Sequence, residues 1–451
     1  MNKEILNNSI VKETNDIRTV MESLKNTGLG IVFVVNRLNK VVGTVTDGDV
    51  RKSLLEAEDL SVSIKSVMTT NFIFLKVGCV RTDVLKLLDR KIKKIPVLDH
   101  KGFLVDIADV NYRFEKNKYV SRARTPARVS LAGGGTDFTE YFMENGGLGL
   151  SCTISKYSHA TMRKRQDKKV TIYSHDYKDY VSANNVDEFE YNGQLDLIKA
   201  GIKLLKPNYG FDLELGCDYP PKSGLGGSAS LLASVIGCFN EFQNTRLDRY
   251  SISELAFEAE RIELGVAGGW QDQYSTVFGG INVMEFDSNH TEVMPLRIEA
   301  EYLNELEERF ILCYTGNNHL GSIIQEKTIS QNDLQKTNKK NSELLKEIAK
   351  NMKSAMLHGN FDSIGPLLDK TWQIKKDIDP MVSNPELDSY YDIAINAGAT
   401  GGRLLGTGGG GYFLFFVPPF KRYYVIESLQ KIGLYQEPLI IDHSGLQSWK
   451  I

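Results

Sequence analysis

The feature that most limits how this chain folds is a run of glycine and small residues set between two periodic segments. It reads Pro220-Pro221-Lys222-Ser223-Gly224-Leu225-Gly226-Gly227-Ser228-Ala229-Ser230. Before it, Phe211-Asp212-Leu213-Glu214-Leu215 alternates as a strand does. After it, Leu231, Leu232, Val235, Ile236 and Phe239 recur at helical spacing. Strand, glycine loop and helix start together make an anion cradle. Glycine lets the backbone approach closely, and the first helical N–H groups face the anion with the positive end of the dipole. Lys222, Ser223, Gly224, Leu225, Gly226, Gly227, Ser228 and Ala229 are therefore expected to wrap a phosphate. The Gly-x-x-x-x-Gly-Lys-Ser/Thr pattern is absent, as are the His-Arg-Asp and Asp-Phe-Gly signatures, so this is neither a P-loop NTPase nor a protein kinase.

A chain of 451 residues exceeds one ordinary core, so two or three domains are expected. The divisions fall at residues 1–118, 119–300 and 301–451, with a polar linker around Glu115-Lys116-Asn117-Lys118. Its 54 basic residues balance 57 acidic ones, which argues against a nucleic-acid partner. The longest apolar runs, such as Tyr412 to Val417, are too short for a membrane span, and no membrane association is expected. Met1-Asn2-Lys3-Glu4 leads into polar sequence, so a cytoplasmic protein is expected. The cysteines Cys79, Cys152, Cys217, Cys238 and Cys313 are far apart and odd in number, which suggests reduced thiols with no disulfide framework or zinc site.

Residues 1–118 contain a weak repeat. The first copy places strands at Gly30–Val35 and Val41–Val45 around a turn, then a helix opened by Thr46-Asp47-Gly48-Asp49. The second places strands at Ile95–Leu98 and Phe103–Ile107. Helical patterns precede both, at Ile17, Val20, Met21 and Leu24, and at Val84, Leu85, Leu87 and Leu88. The arrangement resembles a pair of CBS motifs, carried by Gly43-x-Val45-Thr46-x-x-Asp49. The resemblance implies that Thr46 and Asp49 hold the ribose of an adenine nucleotide. The second copy offers Ala108 and Asn111 at those places, so a single nucleotide site is expected. A purely structural module that forms a homodimer is the competing reading.

Two further glycine-rich segments flank the first. Upstream lies Arg124-Thr125-Pro126-Ala127-Arg128-Val129, running into Ala132-Gly133-Gly134-Gly135-Thr136-Asp137. Downstream lies Gly398-Ala399-Thr400-Gly401-Gly402-Arg403-Leu404-Leu405-Gly406-Thr407-Gly408-Gly409-Gly410-Gly411. In this order the three resemble the motifs of the GHMP kinases, over roughly residues 120–450. The Ala-Gly-Gly-Gly-Thr-Asp variant, Gln271-Asp272-Gln273-Tyr274 and Ser383-Asn384-Pro385-Glu386-Leu387-Asp388 are similar to the heptose-phosphate kinase branch and its fucokinase-like relatives. Gly269-Trp270 and Arg403 depart from that branch, which has lysines there. The fold so implied is α+β: a CBS pair followed by a two-lobed kinase with a ribosomal-S5-like N-terminal lobe and a ferredoxin-like C-terminal lobe.

The resemblance implies ATP and Mg2+ as cofactors and a small sugar or sugar phosphate as acceptor, phosphorylated at its anomeric hydroxyl. Asp272 matches the catalytic aspartate and Arg128 the arginine beside it. Ser228 and Glu260 match the magnesium ligands, a hard-oxygen set suited to that cation. Asp137, with Gly134, Gly135, Thr136, Gly408 and Gly409, matches the sugar-contacting positions. Taken alone, an aspartate after Gly-Gly-Trp-Gln would sooner cap a helix than catalyse. The helix carrying Glu260 is expected to open at a capping box, Ser251-x-x-Glu254. Trp372, Lys375 and Lys376 have either a substrate role or a place on a surface helix. A fucokinase-like enzyme and a non-catalytic sugar–nucleotide sensor remain as alternatives.

Overall fold

A computed structural model describes residues 3–57, 59–112, 120–316 and 335–451; the linker at 115–118 lies outside them. The chain divides into two compact units, Met1–Asn117 and Lys118–Ile451.

In the first unit the repeat is plain in three dimensions. Ile31–Val35 pairs in parallel with a short leading strand, Ile10–Lys12, and antiparallel with Val41–Thr46. Ile95–Leu98 likewise pairs in parallel with Leu75–Lys76 and antiparallel with Leu104–Ala108. Both middle strands carry a register shift, between Val34 and Val35 and between Val97 and Leu98. The leading strands are too short to show a period, which is why pattern alone does not find them. Helix Ile17–Thr27 starts where Asp16 accepts from the Thr19 N–H, and ends at Gly28 with φ 62°. Each half has its own apolar cluster, Val20, Val32, Val34 and Val45 in one, and Val84, Ile95, Val97 and Ala108 in the other.

The second unit is built on an eight-stranded sheet and a four-stranded sheet. The central strand of the larger sheet, Gly147–Lys164, runs along Val120–Ala132 on one edge. Its other edge is shared between Phe211–Cys217 and Ile281–Phe286. The last strand, Gln447–Lys450, returns to pair with residues 121–124, so the C-terminus completes the sheet begun at 120. The smaller sheet is antiparallel, in the order Gly401–Leu404, Tyr412–Phe416, Phe310–Tyr314, Gln436–Glu437.

Every residue of Tyr412–Val417 is fully buried, so the run shows no alternation in polarity although it alternates in direction. Tyr412, Leu414 and Phe416 join the core that includes Val129, Leu150 and Leu225. Phe413 and Phe415 face Trp372, Tyr391 and Val425 on the other side. No helix of the described residues is long and apolar enough to cross a membrane. The five cysteines are free thiols, with Cys152, Cys238 and Cys313 buried.

Candidate active site

The glycine-loop helix runs from Gly227 to Gln243 and begins at Gly226, whose φ of 71° suits glycine. A Cβ on Gly226 would lie 2.9 Å from Arg128 Cγ, so the loop folds only because this position has none. Arg128, on the strand Val120–Ala132, is anchored to the loop at both ends. Its backbone N–H donates to Leu225 O at 2.9 Å and its Nη1 to Gly224 O at 2.5 Å. The rest of the guanidinium makes a two-pronged bond to Asp272, Nε to Oδ1 at 2.8 Å and Nη2 to Oδ2 at 2.7 Å. Arg128 is buried, whereas the Asp272 side chain keeps 33% of its surface exposed. Burial opposes ionisation of Asp272, but the charge and hydrogen bonds of Arg128 outweigh it and hold the carboxyl below its usual range.

Asp272 sits in the first turn of helix Gln271–Phe278 and does not cap it. The cap comes from far away in sequence. Asp137 Oδ2 accepts from the Gln271 N–H at 2.9 Å, and its Oδ1 accepts from the Gly135 N–H at 3.0 Å. Gly269 passes so close that a Cβ there would lie 2.0 Å from Asp137 Oδ2. Burial raises the Asp137 carboxyl, and the nearby Asp272 charge adds to the rise. Gly134 lies against Ser130 and Gln271. The Thr136 hydroxyl is spent inside the fold, donating to Gly133 O and Leu148 O and accepting from the Leu148 N–H.

Glu260 lies in a π-helical turn, Glu258–Glu263, that continues helix Arg249–Phe257. The expected capping box is corrected here. Asp248 is the cap, accepting from the Ser251 N–H, and the helix starts at Arg249 because Asp248 precedes Ser251 with a free carboxylate. Glu260 is buried and accepts from Gln273 Nε2 at 2.7 Å, with Arg261 Nη2 3.5 Å away. Burial pushes its carboxyl up, Arg261 pulls it down, and the Asp272 charge raises it again. Ser228 stands exposed at the second position of the glycine-loop helix. A hydroxyl and a carboxylate are hard oxygen donors of the kind a divalent cation such as magnesium takes, and the Glu260 carboxyl also feels the Asp272 charge.

The downstream glycine turn closes on the loop backbone to backbone. A Cβ on Gly406 would lie 2.4 Å from Gly224 Cα, and one on Gly411 would lie 2.4 Å from Ser223 O. The Tyr412 N–H donates to Ser223 O at 3.1 Å. Gly408 and Gly409 instead lean on Val382, whose carbonyl accepts from the Gly409 N–H at 2.9 Å. Trp372 is core, and Lys376 pairs with Asp388 at 3.4 Å. Lys375 Nζ donates to Gly406 O. Three segments far apart in sequence thus meet around Gly224.

This arrangement has counterparts. The sequence matches the GHMP kinases N-terminal domain over residues 196–280, the GHMP kinases C-terminal domain over 352–433, and a CBS domain over 1–56. It is 37% identical over 336 residues to the D-glycero-alpha-D-manno-heptose 7-phosphate kinase of Campylobacter jejuni, covering 73% of this chain and 99% of that one. The chain belongs to the GHMP kinase family.

Within that family it is similar to a solved structure titled a D-glycero-D-manno-heptose 1-phosphate kinase, from Bacteroides thetaiotaomicron. The TM-score is 0.63 at 29% identity, over 73% of this chain and 99% of that one. It is 26% identical to the bifunctional fucokinase/GDP-fucose pyrophosphorylase of Arabidopsis thaliana, over 67% of this chain and 30% of that one. The α+β fold and the kinase class stand: this is a GHMP sugar kinase, a phosphotransferase acting on a sugar hydroxyl.

Proposed function

We propose that this GHMP kinase transfers the γ-phosphoryl group of ATP to the anomeric hydroxyl of a heptose phosphate, with release of ADP. The observation that carries the reading is the two-pronged Arg128–Asp272 pair lying directly beneath Gly224 of the phosphate loop. A carboxylate kept ionised next to the phosphoryl path is placed to take the hydroxyl proton as the new P–O bond forms. A third of its side-chain surface remains exposed although both oxygens accept from Arg128. Arg128 has a second part, since a cation there offsets charge on the transferring group. Ser228 and Glu260 would hold Mg2+, which when bound neutralises phosphate charge and aligns the nucleotide. Asp137 and the Gly133–Gly135 turn would form the floor under the sugar.

The heptose assignment rests on the two relatives whose names specify a heptose phosphate, one as the 7-phosphate and one as the 1-phosphate. The names disagree on the position of the phosphate already present. An ADP-release assay over heptose 7-phosphate, heptose 1-phosphate, unphosphorylated heptose, fucose and galactose decides among them. Turnover of the 7-phosphate with transfer to C1 is expected. Turnover of fucose alone would place the protein with the fucokinase-like relatives instead.

For the N-terminal unit, Thr46 and Asp49 are proposed as a single adenine-nucleotide site. The Asp49 carboxylate accepts from both the Thr46 N–H and hydroxyl, at 2.8 and 2.7 Å, so the pair is already ordered at the start of its helix.

A further inference from the structure

One buried guanidinium in the second unit has two nitrogens with no hydrogen-bond partner among the described residues. Arg403 lies on the short strand Gly401–Leu404, 5% exposed, and its Nε and Nη1 make no hydrogen bond among the described residues. Its cross-strand neighbour is Leu414, so it points to the face whose core includes Val129 and Leu225, next to Arg128 and the loop. Lys375 arrives from helix Ile364–Ile378 and donates to Gly406 O, and Gly406 touches Gly224. The charge of Arg128 opposes those of both Arg403 and Lys375. Burial first, then the Arg128 charge, lowers Arg403 to about 10. Burial first, then Arg403 and Arg128, pushes Lys375 well below its ordinary range.

Against these three positive charges, the one carboxylate bonded to any of them among the described residues is Asp272, held by Arg128. An unpaired guanidinium held out of water is strongly unfavourable unless an anion joins it. The fold holds it there with a strand whose neighbours are glycines, Gly401 and Gly402. Asp379, the acid that most favours the Lys375 charge, is engaged by the Met381 N–H.

We infer that Arg403 and Lys375 form a phosphate-binding subsite, separate from the helix-start cradle, that grips a phosphate oxyanion on the Gly406 side of the loop. The inference rests on the kinase reading above. The oxyanion is either the terminal phosphate of the nucleotide or the phosphate already carried by the acceptor. Arg403 supplies a planar fork and Lys375 a point charge, a pairing suited to a multiply charged tetrahedral group. Such a subsite rejects a ligand that lacks the phosphate, because the Arg403 guanidinium would stay buried without an anion.

The test uses the full chain with Arg403→Met and Lys375→Met, plus Arg403→Lys as the conservative variant. Four affinities are measured by calorimetry: ADP, adenylyl imidodiphosphate, a free sugar and its phosphate. Melting temperature is recorded without ligand. Arg403→Met, which removes a buried guanidinium without an anion, should leave the melting temperature unchanged or raise it. At the same time one phosphate-bearing ligand should lose about tenfold or more in affinity, with part restored in Arg403→Lys. A loss for adenylyl imidodiphosphate with ADP unchanged assigns the subsite to the nucleotide. A loss for the sugar phosphate with the free sugar unchanged assigns it to the acceptor. Unchanged affinities, or a general loss together with a lowered melting temperature, overturn the inference. If the wild-type chain phosphorylates no sugar in the panel, the heptose reading falls, yet the two nucleotide affinities still decide the subsite.

Discussion

At the scale of single residues, Asp272 is the group on which turnover is expected to depend most. Asp272→Asn keeps one acceptor for Arg128 but cannot take a proton, so kcat should fall about 10²–10⁴-fold. Nucleotide affinity by calorimetry should be nearly unchanged; wild-type turnover would remove Asp272 from the mechanism. The pH profile gives an independent check. A base works when deprotonated, and the Asp272 carboxyl lies below its usual range because Arg128 outweighs burial. The acid limb of kcat/KM in the wild type should therefore not come from Asp272 near neutral pH. In Arg128→Met burial would be opposed only by the Arg261 charge, the carboxyl would rise, and the acid limb of the residual activity should move to higher pH. An acid limb that stays in place would mean that another group, such as Glu260, controls it.

At the scale of elements, the site depends on backbone touching backbone where the glycine loop meets the downstream turn. Gly406 has φ 71° and its absent Cβ would meet Gly224, whereas Gly433 has φ 82° and nothing within 4 Å. Gly433→Ala should cost about 1 kcal/mol from conformation alone, and Gly406→Ala clearly more, roughly 2–4 kcal/mol, because the loop must also shift. Thermal unfolding of the two variants measures the difference, and equal losses would mean the loop yields freely. These contacts also show what sequence can reveal. The strand at Phe211, the loop and its helix were legible because period and glycine placement are local. The cap of helix Gln271–Phe278 was not, because it comes from Asp137 across a large gap in sequence. The π-helical turn around Glu260 and the return of Gln447–Lys450 to the first sheet are likewise set by tertiary packing. Arg403 read only as a substitution in a motif; its burial, with Nε and Nη1 unbonded among the described residues, is visible only in three dimensions.

At the scale of the whole molecule, the two units have separate cores, and the Campylobacter relative matches 73% of this chain while being covered almost end to end. A fragment spanning residues 119–451 is therefore expected to fold and to phosphorylate the same acceptor as the full chain. The N-terminal unit would then act on turnover only through a ligand. An adenine nucleotide there changes the kinase only if it binds two states of the protein with different affinity; equal binding shifts nothing. Testing this by Asp49→Ala would be ambiguous, since Asp49 also bonds Thr46 at its helix start, and losing such a cap costs about 0.5–2 kcal/mol without any ligand. Asp49→Asn separates the two roles. Its carbonyl keeps the bond from Thr46, while its amide replaces the second oxygen with a donor that cannot accept from a ribose hydroxyl. Asp49→Asn should thus retain the melting temperature and basal turnover while losing both AMP binding and the AMP-dependent shift. If AMP binds neither protein and the fragment differs from the full chain only in assembly state by sedimentation, the unit is a dimerisation module and carries no nucleotide signal.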